Sequence, residues 1–135
     1  MAVSNPSKQK GTKAETAVVR WLQDNGFPDA RRLAPSGATD KGDVVTEQGQ
    51  YMFEVKDNVL AVTGQPPDSL LQKWLQETRR EGRHYPDDWE KRLVVKRKGT
   101  TDVGKWWTYK PYPIDFETTA WVCTTLGDDI EWGLL

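Results

Sequence analysis

Cysteine, histidine and long apolar runs are all scarce in this chain of 135 residues. The single cysteine, Cys123, cannot form a disulfide within the chain, and with only one histidine, His84, a zinc site built from Cys and His ligands is excluded within one chain. No apolar run approaches the roughly eighteen residues of a membrane span, and no charged leader precedes an apolar segment. The sequence therefore predicts a soluble protein, without a signal peptide, in a reducing cytoplasm.

Aromatic residues are plentiful by contrast, and the charge is unevenly distributed. Seven Trp, four Tyr and three Phe provide enough apolar surface for one domain to fold without disulfides or metals. Residues 1–110 contain all 19 Lys and Arg but only 15 of the 20 Asp and Glu, so the net charge of -1 combines a basic body with an acidic C-terminal segment. Charge alone is equally compatible with a nucleic-acid-binding surface and with an ordinary solvated one.

Hydrophobic periodicity and turn residues predict the order of the secondary-structure elements. The predicted elements are a helix over 12–25, strands over 30–34, 43–47 and 51–57, a helix capped by Asp68 or Ser69 and ended by Gly82, and strands over 92–98 and 105–110. The C-terminal segment fits either a strand or, as we favour, a short helix around residues 116–123. This order indicates the α/β or α+β class, with a central mixed β-sheet flanked by helices.

One domain accounts for most of the chain. Residues 1–10 have no periodicity and form a predicted flexible basic arm. Residues 11–112 form the predicted domain, and residues 113–135 form an acidic extension packed on the same domain.

Residues 42–58, GDVVTEQGQYMFEVKDN, combine a strand–turn–strand pattern with charges at positions expected to be interior. Alternate residues of a strand share a face. One face carries Tyr51, Phe53 and Val55, and the other carries Met52, Glu54 and Lys56. Antiparallel pairing across the turn would bring Asp43 close to Glu54 and Lys56. A solvated Glu–Lys pair is the plainest interpretation, but the apolar neighbours favour buried charges that need a partner.

A divalent cation is the obvious partner for converging carboxylates. Oxygen ligands without histidine or thiolate suit a hard ion, Mg²⁺ or Mn²⁺. Such a set serves phosphodiester hydrolysis, in which the ammonium of Lys56 holds or polarises the attacking water. Glu15 has two open interpretations. It lies beside the apolar stripe of the first helix and would approach a cation at the sheet, and the stretch from Thr12 to Glu15 also matches a capping box.

These residues resemble the PD-(D/E)xK nuclease superfamily and, within it, the Holliday junction resolvases of the archaeal type and their phage relatives. The resemblance covers KGTKAETAVVRWLQDNGF, ARRLAPSGATDKGDVV and YMFEVKDN, about residues 10–58, and more loosely RLVVKRKGTTDVGKWWTYK. Gly42 stands where the superfamily name has Pro, at a position that binds no metal. The resemblance implies a restriction-endonuclease-like core, catalytic residues Glu15, Asp43, Glu54 and Lys56, and a metal site of Glu15, Asp43, Glu54 and the main chain at Val55.

The resemblance further implies a metal-dependent, structure-selective DNA endonuclease of recombination and repair. A homodimer would bind Mg²⁺, for which Mn²⁺ can substitute, and would nick opposed strands of a four-way junction. A phage-encoded protein would act in the host cytoplasm. The same core serves other nucleases, so flaps, single strands and RNA are alternative substrates. A catalytically silent nucleic-acid-binding module, an inhibitor and a structural protein are alternatives against which the retained Asp43, Glu54 and Lys56 argue.

Polar and basic side chains around the predicted site are candidates for phosphate contacts, with solvated strand ends as the alternative. These candidates are Lys10, Lys13, Arg31, Arg32, Ser36, Lys96, Arg97 and Lys98, and Lys91 and Arg92 belong to the same basic run. For Ser36, turn chemistry is favoured over phosphate contact. For Trp74, Trp106 and Trp107, core packing or a dimer contact is favoured over stacking on an unpaired base. Of the adjacent Trp106 and Trp107, only one would lie in the core.

Overall fold

The computed structural model describes residues 6–33, 44–57, 66–85, 89–97, 99–113 and 119–133, without the side chains of residues 6–12, 113 and 119. Within these ranges the chain forms three α-helices and six β-strands. The helices are α1 (Pro6–Asp24), α2 (Asp68–Glu81) and α3 (Leu126–Glu131), and the strands are β1 (Arg31–Arg32), β2 (Val44–Thr46), β3 (Tyr51–Asp57), β4 (Glu90–Lys96), β5 (Trp107–Pro113) and β6 (Thr119–Thr125). Two short 3₁₀ helices, Gly82–His84 and Val103–Lys105, follow α2 and precede β5.

The six described strands form one sheet in chain order, β1-β2-β3-β4-β5-β6. β3 and β4 are parallel, and every other neighbouring pair is antiparallel. A parallel pair needs a crossover connection, and α2 lies in that connection. The predicted central mixed sheet flanked by helices is therefore confirmed, with β3 in its interior.

The two faces of the sheet carry separate hydrophobic cores. On one face, Phe53 and Val55 of β3 pack with α1, whose Val18 and Leu22 are fully buried. On the other face, Trp74 of α2 packs with apolar residues of β4 and β5, which agrees with the core packing that the sequence favours for this residue. Because side chains alternate along a strand, these two cores fix the direction of every side chain on β3.

α1 begins at Pro6, earlier than the predicted residue 12. Proline suits the first turn of a helix, where an amide hydrogen has no partner within the helix. Residues 6–10 are therefore helical, although the sequence predicts no regular structure for them, while residues 1–5 lie outside the described ranges. Thr12 is inside the helix and does not cap it, so the capping-box interpretation of Glu15 is also wrong.

α2 ends as predicted at Gly82 but begins without the predicted side-chain cap. Pro67 occupies the N-cap position and makes no capping hydrogen bond. Asp68 lies in the first turn, where a carboxylate complements the helix dipole. The buried residues of this helix are Trp74, Leu75 and Thr78, which agrees with the predicted helical spacing.

β2 and β3 form the predicted hairpin, with Val44 opposite Phe53 and Thr46 opposite Tyr51. The turn places Gln50 in the left-handed region, with φ of 58°, although the glycine before it would adopt this conformation more easily. Space accounts for that glycine, Gly49, because a Cβ there would lie 2.6 Å from the ring of Phe27. The hairpin turn is thus packed against the residues that follow α1.

The C-terminal segment forms β6 and then α3. The favoured helix around residues 116–123 is therefore wrong, and the strand alternative is right from residue 119 onward, while Phe116 lies outside the described residues. The β-branched and aromatic content of this segment favours strand pairing, and all seven residues of β6 pair with β5. Thr125 then caps α3, since its hydroxyl accepts a hydrogen bond from the amide of Asp128.

The predicted strand over 105–110 begins only at Trp107, because Val103–Lys105 form a 3₁₀ helix that ends at Trp106. Trp106 is buried in the core on the α1 side, whereas half-buried Trp107 packs against the core on the α2 side. Only one of the two is fully buried, as predicted. Their different directions arise where the 3₁₀ helix meets the strand.

Replacement of Gly127 by alanine is expected to lower the free energy of unfolding by about 1–2 kcal/mol, because overpacking outweighs the greater helix propensity of alanine. A Cβ at this position would lie 2.9 Å from the carbonyl oxygen of Gly104, so α3 would have to move away from the neighbouring 3₁₀ helix. Urea unfolding measures the change. The control is Glu131→Ala, an exposed change on the same helix. Equal stability of the two variants would contradict this close approach.

Candidate active site

The central pair of the candidate site, Glu54 and Lys56, points to the α2 side of β3. Their neighbours Phe53 and Val55 face the core on the α1 side, so the alternation of the strand fixes this direction. Only 4% of the surface of Glu54 is exposed, because β3 lies between β2 and β4. The predicted burial of this charge is confirmed. A carboxylate in such surroundings needs compensating charge or hydrogen bonds.

The ammonium group of Lys56 lies between two carboxylates. Its Nζ atom is 3.4 Å from Oε1 of Glu54 and 2.8 Å from Oε2 of Glu77, which is a residue of α2. Burial alone would lower the pKa of Lys56, but its hydrogen bond with Glu77 and the charges of both glutamates raise the pKa above its usual value. Lys56 is therefore a charged group that a helix and a strand hold in place together.

Glu77 is a member of this cluster that the sequence did not identify. It lies between the buried Trp74 and Thr78 in α2, and its side chain is 16% exposed. The available signal is its position beside the apolar stripe of a helix that connects two parallel strands. Such a helix covers one face of the sheet, so polar residues at the margin of its stripe meet the side chains that point to that face.

Glu15 of α1 is held near the start of β2. Its Oε2 atom accepts a hydrogen bond of 2.8 Å from Nε of Arg32, and its side chain is 12% exposed. Arg32 lies opposite Val44 in the sheet, and Val44 also lies opposite Phe53, the neighbour of Glu54. The first helix thus reaches the hairpin through β1, which supports the interpretation of Glu15 as a residue that faces the sheet.

Two of the four predicted catalytic residues, Glu54 and Lys56, are in direct contact. Asp43 lies outside the described residues, immediately before Val44 in the chain. Among the side chains that the structure describes, no group of three or more His, Cys, Asp or Glu residues is arranged to hold a metal ion. The metal site with Asp43 and the carbonyl group of Val55 therefore stays a prediction.

Most of the predicted phosphate-binding residues that the structure describes already have partners within the chain. The contacts are Arg32 with Glu15 at 2.8 Å, Arg31 with Glu47 at 2.6 Å, Lys96 with Asp57 at 3.9 Å, and Arg97 over the ring of Trp107 at 4.5 Å. Lys13 is exposed. Ser36, Lys98 and the side chain of Lys10 lie outside the description. These intramolecular contacts would have to compete with any phosphate contact.

Arg92 is buried, so its place among the candidates for phosphate contact is wrong. It is 1% exposed, and its Nη1 atom lies 2.9 Å from Oδ2 of Asp129 in α3. Its Nη2 atom lies 2.8 Å from Glu90, and the guanidinium group lies 5.0 Å from the ring centre of Tyr51. The hydroxyl of Thr124 donates a 2.6 Å hydrogen bond to Oδ1 of Asp129. This network connects the C-terminal helix to the sheet.

The described residues define an α/β protein with a six-stranded mixed sheet and a Glu–Lys–Glu cluster between β3 and α2. Comparison of the chain with protein-family models, with curated proteins and with solved structures finds no match. No helix in the part of the chain that the structure describes has the length and apolar character needed to cross a bilayer. The geometry of the site is therefore the basis of the function proposed for the protein.

Proposed function

We propose that the protein is a metal-dependent, structure-selective DNA endonuclease that cuts four-way junctions. The observation that carries the proposal is the buried Glu54 on a central strand, in contact with a lysine two residues later that α2 also holds. Burial of such charges costs stability, and ionisable clusters of this kind concentrate at functional sites. The motif FEVK and the mixed sheet are those expected of a restriction-endonuclease-like nuclease.

The chemistry of the donor atoms fits a hard divalent cation. Two glutamates face the single ammonium of Lys56, so the cluster has an excess of one negative charge. Asp43, Glu54 and the carbonyl group of Val55 would hold Mg²⁺, or Mn²⁺ in its place, through oxygen atoms alone. Glu15, the other predicted ligand, is bound to Arg32 on the α1 side of the sheet, whereas Glu54 points to the α2 side, so these two carboxylates do not meet in this structure. When bound, the ion would neutralise charge on the phosphate and orient the attacking water.

The remaining steps belong to side chains of this protein. The ammonium of Lys56 would donate a hydrogen bond to the attacking water or to the phosphate, where negative charge develops in the transition state. Glu77 would act as a positioning residue that keeps this ammonium charged and directed at the site. In a homodimer, two such sites would nick opposed strands of a junction that has the same two-fold symmetry.

One cleavage experiment tests the proposal. The protein is incubated with a labelled four-way junction, the matching linear duplex and an RNA hairpin, in Mg²⁺, in Mn²⁺ and in Ca²⁺, beside Asp43→Asn and Glu54→Gln. The expected result is paired nicking of the junction alone, in Mg²⁺, that both variants lose. Equal cutting of all three substrates would exclude specificity for junctions but would still support nuclease activity. Absence of cleavage in both Mg²⁺ and Mn²⁺ would overturn the enzymatic proposal.

Glu77→Gln is expected to lower the kcat of junction cleavage by about 10- to 100-fold with little change in KM. Glutamine keeps the shape of the side chain but loses the charge that holds Lys56, so substrate would bind while the ammonium is misplaced. Steady-state cleavage measures both constants. Glu131→Gln, the same change at an exposed position of α3, is the control. A wild-type kcat in Glu77→Gln would exclude this positioning role.

A further inference from the structure

A row of basic side chains lies on the outer side of α2 and of the 3₁₀ helix after it. Lys73, Arg79, Arg80 and Arg83 are all exposed, and we call them the α2 basic row. Lys73 and Arg80 are seven residues apart, so they lie nearly one above the other on the helix. With a rise of 1.5 Å per residue, the row is about 15 Å long.

The α2 basic row carries positive charge that the described structure does not neutralise. No ion pair or hydrogen bond joins any of its four side chains to another residue in the described ranges. Glu77, which lies four residues after Lys73, is instead bound to Lys56. Three of the residues predicted from the sequence to contact phosphate are paired with a carboxylate instead. They are Arg31, Arg32 and Lys96.

The fold itself accounts for only part of the α2 basic row. Basic residues in the last turn of a helix complement its dipole, which explains Arg79 and Arg80 in α2 and Arg83 in the 3₁₀ helix that follows. Lys73 is in the middle of α2, so the dipole does not explain it. Arg79 and Arg83 are also spaced as neighbours that repel each other, which is a small cost to stability. An anionic partner would remove this cost.

We infer that the α2 basic row binds the phosphate backbone of a DNA arm whose branch point is held at Glu54 and Lys56. The inference rests on the proposed function and names the surface on which the substrate lies. α2 contributes to both the Glu–Lys–Glu cluster and the proposed DNA-binding surface. It supplies Glu77 to the cluster on its inner side and the α2 basic row on its outer side. Exposed cations in a row complement a phosphate backbone and read no sequence.

The test is the salt dependence of nucleic-acid binding with Ca²⁺ in place of Mg²⁺, measured by fluorescence anisotropy on a labelled four-way junction and on a labelled RNA duplex. The variant is the double substitution Lys73→Gln/Arg80→Gln. Its matched control is Arg20→Gln/Lys105→Gln, which removes one Arg and one Lys from exposed positions on the α1 side of the sheet. A third variant, Lys73→Arg/Arg80→Lys, keeps both charges and tests whether charge alone is needed.

The row variant is expected to bind the junction about tenfold more weakly at low salt and to reduce the slope of log K against log salt by about 1–2, as the loss of one or two phosphate contacts requires. The control and the charge-preserving variant should match the wild type. Equal losses in the row variant and the control, or none in either, would overturn the inference. Failure of the wild-type protein to bind DNA would also overturn the inference. A row variant that loses affinity for the RNA duplex but not for the junction would overturn it as well.

Cleavage by the same proteins in Mg²⁺ separates this inference from the proposed function. DNA binding that depends on the row, without cleavage by any of the proteins, would leave the binding surface standing and reject the nuclease. Junction cleavage by a row variant that binds DNA like the wild type would support the nuclease and reject the binding surface.

Discussion

Glu54→Gln should lower the single-turnover rate constant of junction cleavage by about 10³-fold or more, while the free energy of unfolding stays within about 1 kcal/mol of the wild-type value. Glutamine fills the same space in β3 but is a neutral and much weaker ligand for a hard cation. The variant leaves Glu77 and Lys56 as a balanced pair at 2.8 Å. Activity and stability should therefore separate at this residue.

The two quantities are measured on the same preparations. Single-turnover cleavage of the junction gives the chemical rate, and urea unfolding in EDTA gives the stability of the metal-free protein. Glu131→Gln serves again as the exposed control. Wild-type cleavage by Glu54→Gln would exclude Glu54 from the site. Loss of cleavage together with a stability loss above about 3 kcal/mol would identify a structural residue instead.

The predictions that the structure confirms depend on short stretches of sequence. The bounds of β3 agree with the predicted 51–57, because its apolar alternation and the turn before it are local features. The direction of Glu54 follows from the same alternation, since Phe53 and Val55 lie in the core of the other face. The hairpin and the end of α2 at Gly82 are local in the same sense.

Contacts between distant segments account for what the sequence did not reveal. Glu77 meets Lys56 only because the crossover helix returns over β3, and no spacing in the sequence encodes that contact. Likewise, Arg92 looks like one more residue of a basic strand until Asp129, 37 residues later, is placed beside it. In the C-terminal segment, strand and helix patterns were both present, and pairing with β5 decided between them.

Asp129→Leu should destabilise the protein by about 3–5 kcal/mol, because it removes one partner of a buried ion pair. Asp129 is 0% exposed and Arg92 is 1% exposed, so water cannot replace the lost carboxylate. Burial raises the pKa of Asp129, and the hydrogen bond from Thr124 and the charge of Arg92 act in the opposite direction. These two partners thus oppose the cost that burial imposes on the carboxylate.

A second variant distinguishes the uncompensated charge from simple loss of packing. Arg92→Met/Asp129→Leu removes both charges and keeps the same leucine substitution at residue 129, and it is expected to recover more than half of the stability that Asp129→Leu loses. Urea unfolding of the two variants and the wild type provides the comparison. If the double variant were as unstable as the single one, packing rather than buried charge would be the cause. Recovery would show that the uncompensated charge of Arg92, and not lost packing, causes most of the destabilisation by Asp129→Leu.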